Sequence, residues 1–94
     1  MLKVSEYFEG KVKSIALQTA TLPATVGVMS PGKYQFSTAE KETMHIISGA
    51  MNVKLPDTDE WQSFREGQSF EVPEKSKFDL EIASDTAYYC QYWK

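Results

Sequence analysis

At 94 residues the chain has length for a single domain, 1–94, burying roughly 60–65% of the surface its unfolded form exposes, enough for one core. An apolar fraction of 41%, an aromatic fraction of 13% and a charged fraction of 24% are those of a folding globular chain and exclude disorder along its length. Thirteen acids against ten bases, with neither sign in a long block, exclude a nucleic-acid backbone as the main partner, and no apolar run approaches the roughly 20 residues of a membrane-spanning helix.

In chain order, the start, Met-Leu-Lys-Val-Ser-Glu, lacks the basic-then-apolar layout of a secretory signal. Period-two alternation begins at residue 11 and recurs almost to the C-terminus. It predicts strands over residues 11–17, 24–29, 34–38, 44–47, 51–55, 68–72, 77–82 and 87–93. The clearest is Lys77-Phe78-Asp79-Leu80-Glu81-Ile82, with three apolar side chains on one face and three charges on the other. Pro31-Gly32, Ser48-Gly49, Pro56-Asp57-Thr58-Asp59, Glu66-Gly67, Pro73-Glu74-Lys75-Ser76 and Ser84-Asp85 supply the turns. No segment has helical periodicity. Many short strands in so short a chain predict an all-β fold that is a sandwich or a barrel, since a single open sheet leaves an apolar face and two edges in water; periodicity does not separate the two.

Chemistry-bearing residues concentrate in Tyr34-Gln35-Phe36-Ser37-Thr38-Ala39-Glu40-Lys41-Glu42-Thr43-Met44, where hydroxyls and carboxylates follow directly on a strand with an apolar face. Elsewhere the plain readings prevail. His45 has the neighbours Met44, Ile46 and Ile47 of an ordinary strand position. Cys90 is the chain's one cysteine, a packed thiol among Tyr88, Tyr89 and Tyr92 with no base beside it. It permits no intramolecular disulfide, so the expected compartment is the reducing cytoplasm. Arg65 is a solvated turn residue, and one of Trp61 and Trp93 covers a barrel mouth or a subunit contact.

Gly32, Glu42 and Gly49 resemble the first cupin motif, and Gly67 and Pro73 the second, so a small jelly-roll-like cupin-type β-barrel is the expected fold. Phe36 and Thr38 stand where the first motif has its His-x-His pair, while Lys75 and Phe78 replace the glycine and histidine of the second. An iron or manganese cupin needs at least two imidazoles plus a carboxylate; His45 alone predicts a protein without a metal cofactor.

Three segments narrow the resemblance: Glu6-Tyr7-Phe8-Glu9-Gly10-Lys11-Val12-Lys13-Ser14, Tyr34-Gln35-Phe36-Ser37-Thr38-Ala39-Glu40 and Ile47-Ser48-Gly49. Together they resemble the small cupin-fold pyrimidine/purine nucleoside phosphorylases. The resemblance implies cleavage of nucleosides by inorganic phosphate to a free base and a pentose 1-phosphate, with broad base specificity and no cofactor. From cupins generally it also implies a homodimer. The departing base gains negative charge and the ribose ring positive charge, so such a site needs bound phosphate, acceptors for the sugar and a donor near the base. On that reading Thr38, Glu40 and Glu42 are the catalytic candidates. Lys11, Lys13 and Ser37 are phosphate contacts, and Tyr34 or Phe36 is a stacking platform for any base. The principal alternative is a non-catalytic cupin binding a small sugar or nucleoside. A sugar-nucleotide epimerase-like cupin is weakened by the single histidine, and an interaction module would pair through an exposed strand edge.

Overall fold

A computed structural model describes residues 1–94. Ten strands and no helix make up the chain: β1 (Val4–Tyr7), β2 (Val12–Gln18), β3 (Pro23–Met29), β4 (Gly32–Ser37), β5 (Lys41–Ser48), β6 (Ala50–Lys54), β7 (Trp61–Arg65), β8 (Ser69–Val72), β9 (Lys77–Ile82) and β10 (Thr86–Trp93). They form two antiparallel sheets, ordered β1-β2-β3-β10-β5-β8 and β4-β9-β6-β7.

The all-β jelly-roll-like expectation holds, in the form of a sandwich and not a barrel with unbroken hydrogen bonding. From β3 onward the chain changes sheet at nearly every connection, and the ladder is interrupted at each crossing. Alternation fixes which face goes inward. Tyr34 and Phe36 of β4 lie opposite Leu80 and Phe78 of β9, and all four side chains join the core or pack against it. Val12, Met29, Met51, Val53 and Val72 are almost fully buried, each contributing roughly 1.5–3 kcal/mol of apolar burial.

Strand β10 is the keystone. It pairs with β3 on one side and β5 on the other, turning Tyr88, Cys90 and Tyr92 inward and Tyr89, Gln91 and Trp93 outward. Gly27 of β3 lies between Ser14 of β2 and Tyr88 of β10, and a Cβ there would come within 2.6 Å of the Tyr88 ring. At the β5–β6 crossing Gly49 has φ +95°, and a Cβ would meet the Thr86 hydroxyl at 2.6 Å. Glycine is the residue suited to both.

Two strands escape the alternation reading, β1 and β7. Each lies at one of the two edges of its sheet, and apart from Ser5 and Phe64 their residues are exposed.

Candidate functional site

Between the sheets lies a cavity of about 300 Å³, large enough for a small ligand. Its apolar lining comes from Met29, Phe36, Ala39, Met44 and Phe78. Ser14, Glu40 and Glu42 supply a hydroxyl and two carboxyl groups, Ser37 borders the space from the end of β4, and Tyr7, Tyr88, Cys90 and Tyr92 complete the wall. Strand parity explains the set: Glu42 and Met44 point inward from β5 while Thr43 and His45 point away, and Glu42 lies opposite Tyr92 in the β5–β10 ladder.

Phe36 anchors the aromatic side, with ring centroids 6.2 Å from Tyr7, 5.4 Å from Phe8 and 6.0 Å from Phe78. The β1–β2 turn holds Tyr7 and Phe8 in place through consecutive positive φ angles at Phe8 (52°), Glu9 (59°) and Gly10 (83°), closed by the Gly10 N–H donating to the Tyr7 carbonyl at 3.2 Å. Left-handed phenylalanine and glutamate are strained, and such strain persists where surrounding packing fixes it.

The polar end is electrostatically unusual. Desolvation raises the pKa of Glu42 above the ordinary 4.5; the Cys90 thiol, donating to Oε1 at 3.5 Å, opposes the rise, and the nearby Glu40 charge adds to it. Burial, reinforced by Glu42, pushes the Cys90 thiol far above the usual thiol range, so it stays protonated and inert as a nucleophile. Burial also pushes Tyr88 up to about 12 and raises Tyr92, whose hydroxyl shares a 3.0 Å hydrogen bond with Thr25. Both tyrosines therefore remain neutral donors near pH 7.

Four expected site residues, Phe36, Ser37, Glu40 and Glu42, meet in this cavity. Four do not. Tyr34 is 5% exposed in the core, its hydroxyl donating to the Ser30 carbonyl at 2.7 Å, so no face is open for a base. Thr38 Oγ1 donates to the Pro73 carbonyl at 2.7 Å and accepts the Ser76 N–H at 3.0 Å, which commits it to fastening a loop. Lys11 and Lys13 are exposed and flank Val12 and Ser14, which point inward, so both lysines face outward; Lys13 pairs with Glu6 at 3.4 Å. No lysine, arginine or histidine lines the cavity.

His45 holds the ordinary strand position expected of it: its ring stacks on Tyr89 at 5.4 Å and its Nε2 shares a 2.8 Å hydrogen bond with Gln91 Oε1, on the sheet's outer face. Sequence reasoning missed Tyr7, Ser14, Tyr88, Cys90 and Tyr92 as lining residues. The available signal was parity, since 88, 90 and 92 alternate on one face of a strand that packs beside the Glu42 strand.

Comparison with known proteins agrees with this picture. Over residues 2–92 the chain matches the family model described as "Pyrimidine/purine nucleoside phosphorylase". A protein of that name from Hahella chejuensis is 61% identical over 92 residues, covering 98% of this chain and 99% of the relative. A crystal structure of a protein of unknown function from Vibrio parahaemolyticus superposes with a TM-score of 0.95 at 38% identity, over 99% of each chain. An RmlC-like cupin from Shewanella frigidimarina shares the fold, with a TM-score of 0.76 at 15% identity over 97% of this chain and 82% of that one. The chain belongs to the pyrimidine/purine nucleoside phosphorylase family, on a cupin fold.

Proposed function

We propose that the chain catalyses metal-independent phosphorolysis of purine and pyrimidine nucleosides, releasing a free base and a pentose 1-phosphate. The observation that carries this reading is the pair Glu40 and Glu42 facing one aromatic-walled cavity, with Glu42 biased toward its protonated form. Phe36 stacks on the base without reading its edge, which supports broad base specificity. Glu40 accepts hydrogen bonds from the pentose hydroxyls and stabilises positive charge developing on the ring.

In the reaction a phosphate oxygen forms a bond to C1′ as the C1′–N bond breaks, and that bond's electron pair passes to the base nitrogen. The Glu42 carboxylic acid protonates the leaving base, and the hydroxyl proton of the attacking hydrogen phosphate restores it. Ser14 adds a neutral donor and acceptor beside the pentose. Metal independence is supported by the donor set, because His45, the chain's one histidine, points away from the carboxylates. The buried, unpaired Cys90 fits a cytoplasmic setting.

The reading extends to a homodimer. On the outer face of the six-stranded sheet Val4, Ile15 and Val26 form one cross-strand row, all exposed, with Val28 and Leu17 beside it. A second copy laid on this face would cover it. Purified protein incubated with uridine or adenosine, with and without inorganic phosphate, tests the activity. Free base appearing only with phosphate is the expected result, and saturable nucleoside binding without turnover sinks it in favour of a binding module.

A further inference from the structure

Phosphorolysis places an oxyanion within bonding distance of C1′, yet the cavity presents two carboxyl groups and no lysine, arginine or histidine. The nearest lysines are engaged elsewhere, Lys13 with Glu6 at 3.4 Å and Lys41 with Glu71 at 3.6 Å. A phosphate dianion set beside the Glu40 charge with no cation would be repelled. What the cavity offers an anion is neutral donors, together with acceptors for any proton the anion itself carries.

The donors stand in one cross-strand row. Ser14 of β2, Gly27 of β3 and Tyr88 of β10 are successive register partners. A Cβ at Gly27 would meet the Tyr88 hydroxyl at 2.6 Å, so the missing side chain lets the Tyr88 ring lie across β3 and bring its hydroxyl beside Ser14. Both residues are 5% exposed, and both line the cavity. No other group of the protein hydrogen-bonds to either hydroxyl. Two hydroxyls carry two protons, and their mutual contact uses one, so a donor is left for whatever occupies the cavity. Burial keeps Tyr88 protonated across the neutral range. Tyr7, Cys90 and Tyr92 are the remaining titratable groups of the wall besides Glu40 and Glu42, and none brings a cation.

We infer that the nucleophile is bound as dihydrogen phosphate, its anionic oxygens accepting from the Ser14–Tyr88 pair and its P–OH groups donating to Glu40 and Glu42, so that the cavity rejects sulfate. Sulfate near neutrality is a dianion with no proton to give a carboxylate. The inference rests on the phosphorolysis reading for the reason an anion enters at all. Glu40 has two carboxylate oxygens and so serves the pentose and the phosphate together. The proton count closes: an anionic phosphate oxygen bonds to C1′, Glu42 gives its proton to the departing base, and one P–OH proton restores Glu42. The product is a singly protonated pentose 1-phosphate.

The test compares anions. In the wild type, arsenate, which also carries hydroxyl protons, should replace phosphate in driving base release, while sulfate should inhibit about a hundredfold more weakly than phosphate binds. KM for total phosphate should rise about tenfold per pH unit above phosphate's second ionisation, as the monoanion is depleted. Tyr88→Phe and Ser14→Ala, which remove one hydroxyl each, should raise KM for phosphate about tenfold with KM for the nucleoside unchanged. Glu40→Gln, whose amide can donate to sulfate, should narrow the gap between the two anions to about tenfold or less. Sulfate competing on equal terms in the wild type, or a phosphate KM level with pH, overturns the inference and leaves phosphorolysis standing. If the wild type releases no base with phosphate, the phosphorolysis reading falls, and amide NMR titration with phosphate and with sulfate, each alone and with uracil present, decides the anion preference. Shifts at Ser14, Gly27 and Tyr88 with phosphate and not with sulfate uphold it; equal shifts, or none, overturn it.

Discussion

Cys90 Sγ donates to Glu42 Oε1 at 3.5 Å inside the cavity, so a thiol that cannot act as a nucleophile adjusts the acidity of the carboxyl that can act as an acid. The Glu40 charge acts on the same group in the opposite sense. If Glu42 works protonated, turnover declines as pH rises through its pKa. Cys90→Ala, which removes the donor without overpacking the buried site, should move that decline to higher pH, and Glu40→Gln should move it to lower pH. Rate profiles of the two variants that shift in the same direction would remove Glu42 from the acid role.

Glu42→Gln should lower turnover roughly 10²–10⁴-fold, the usual range for a lost general acid. It should also stabilise the protein near neutrality. The folded pKa of Glu42 is raised, so its favourable contribution is complete below the unfolded value of about 4.5 and is lost as pH climbs through the folded one. The melting-temperature advantage of the glutamine variant should therefore widen across that window, and thermal denaturation at a series of pH values measures it.

Phe36→Ala should raise KM for uridine and adenosine alike by about tenfold or more, since stacking contributes roughly 1–3 kcal/mol per base whatever the base. A loss confined to purines would assign base recognition to edge contacts instead.

Gly27→Ala should destabilise the protein by about 1–3 kcal/mol, because the added methyl meets the Tyr88 ring at 2.6 Å and the Lys13 carbonyl at 2.7 Å. Pushing Tyr88 into the cavity should weaken nucleoside binding at the same time. Chemical denaturation and a nucleoside titration read the two effects separately.

Thr38→Val should lower the melting temperature without abolishing turnover, because the hydroxyl ties β4 to the Pro73–Ser76 loop and touches no part of the cavity wall. Removing one partner of a buried hydrogen bond costs about 1–3 kcal/mol, or some 4–8 °C per kcal/mol in a domain of this size.

Alternation predicted the strands that have one wet and one dry face, of which Lys77–Ile82 is the plainest. It failed for Val4–Tyr7 and Trp61–Arg65 because an outermost strand whose side chains are mostly wet shows no contrast between its faces. Glu40, Glu42, Ser37 and Phe36 were legible as a cluster because they lie close together in the chain. Tyr88, Cys90 and Tyr92 were not, since an inward side chain reads the same whether it meets packed core or a cavity. Lys11 and Lys13 misled for a related reason: sharing a face shows that two residues point together, and leaves open which way. For Tyr34 the deciding fact was the Ser30 carbonyl within reach of its hydroxyl, a contact made by a turn geometry invisible in composition.

The place of β10, later in the chain than both of its partners and central in its sheet, bears on how the molecule is made. Until synthesis has passed Trp93, β3 and β5 lack the partner that stands between them, and two raw edges wait in the growing polypeptide. Assembly of this sheet is consequently a long-range event, of the kind that makes folding slow, and removing β10 would abolish the structure instead of trimming it.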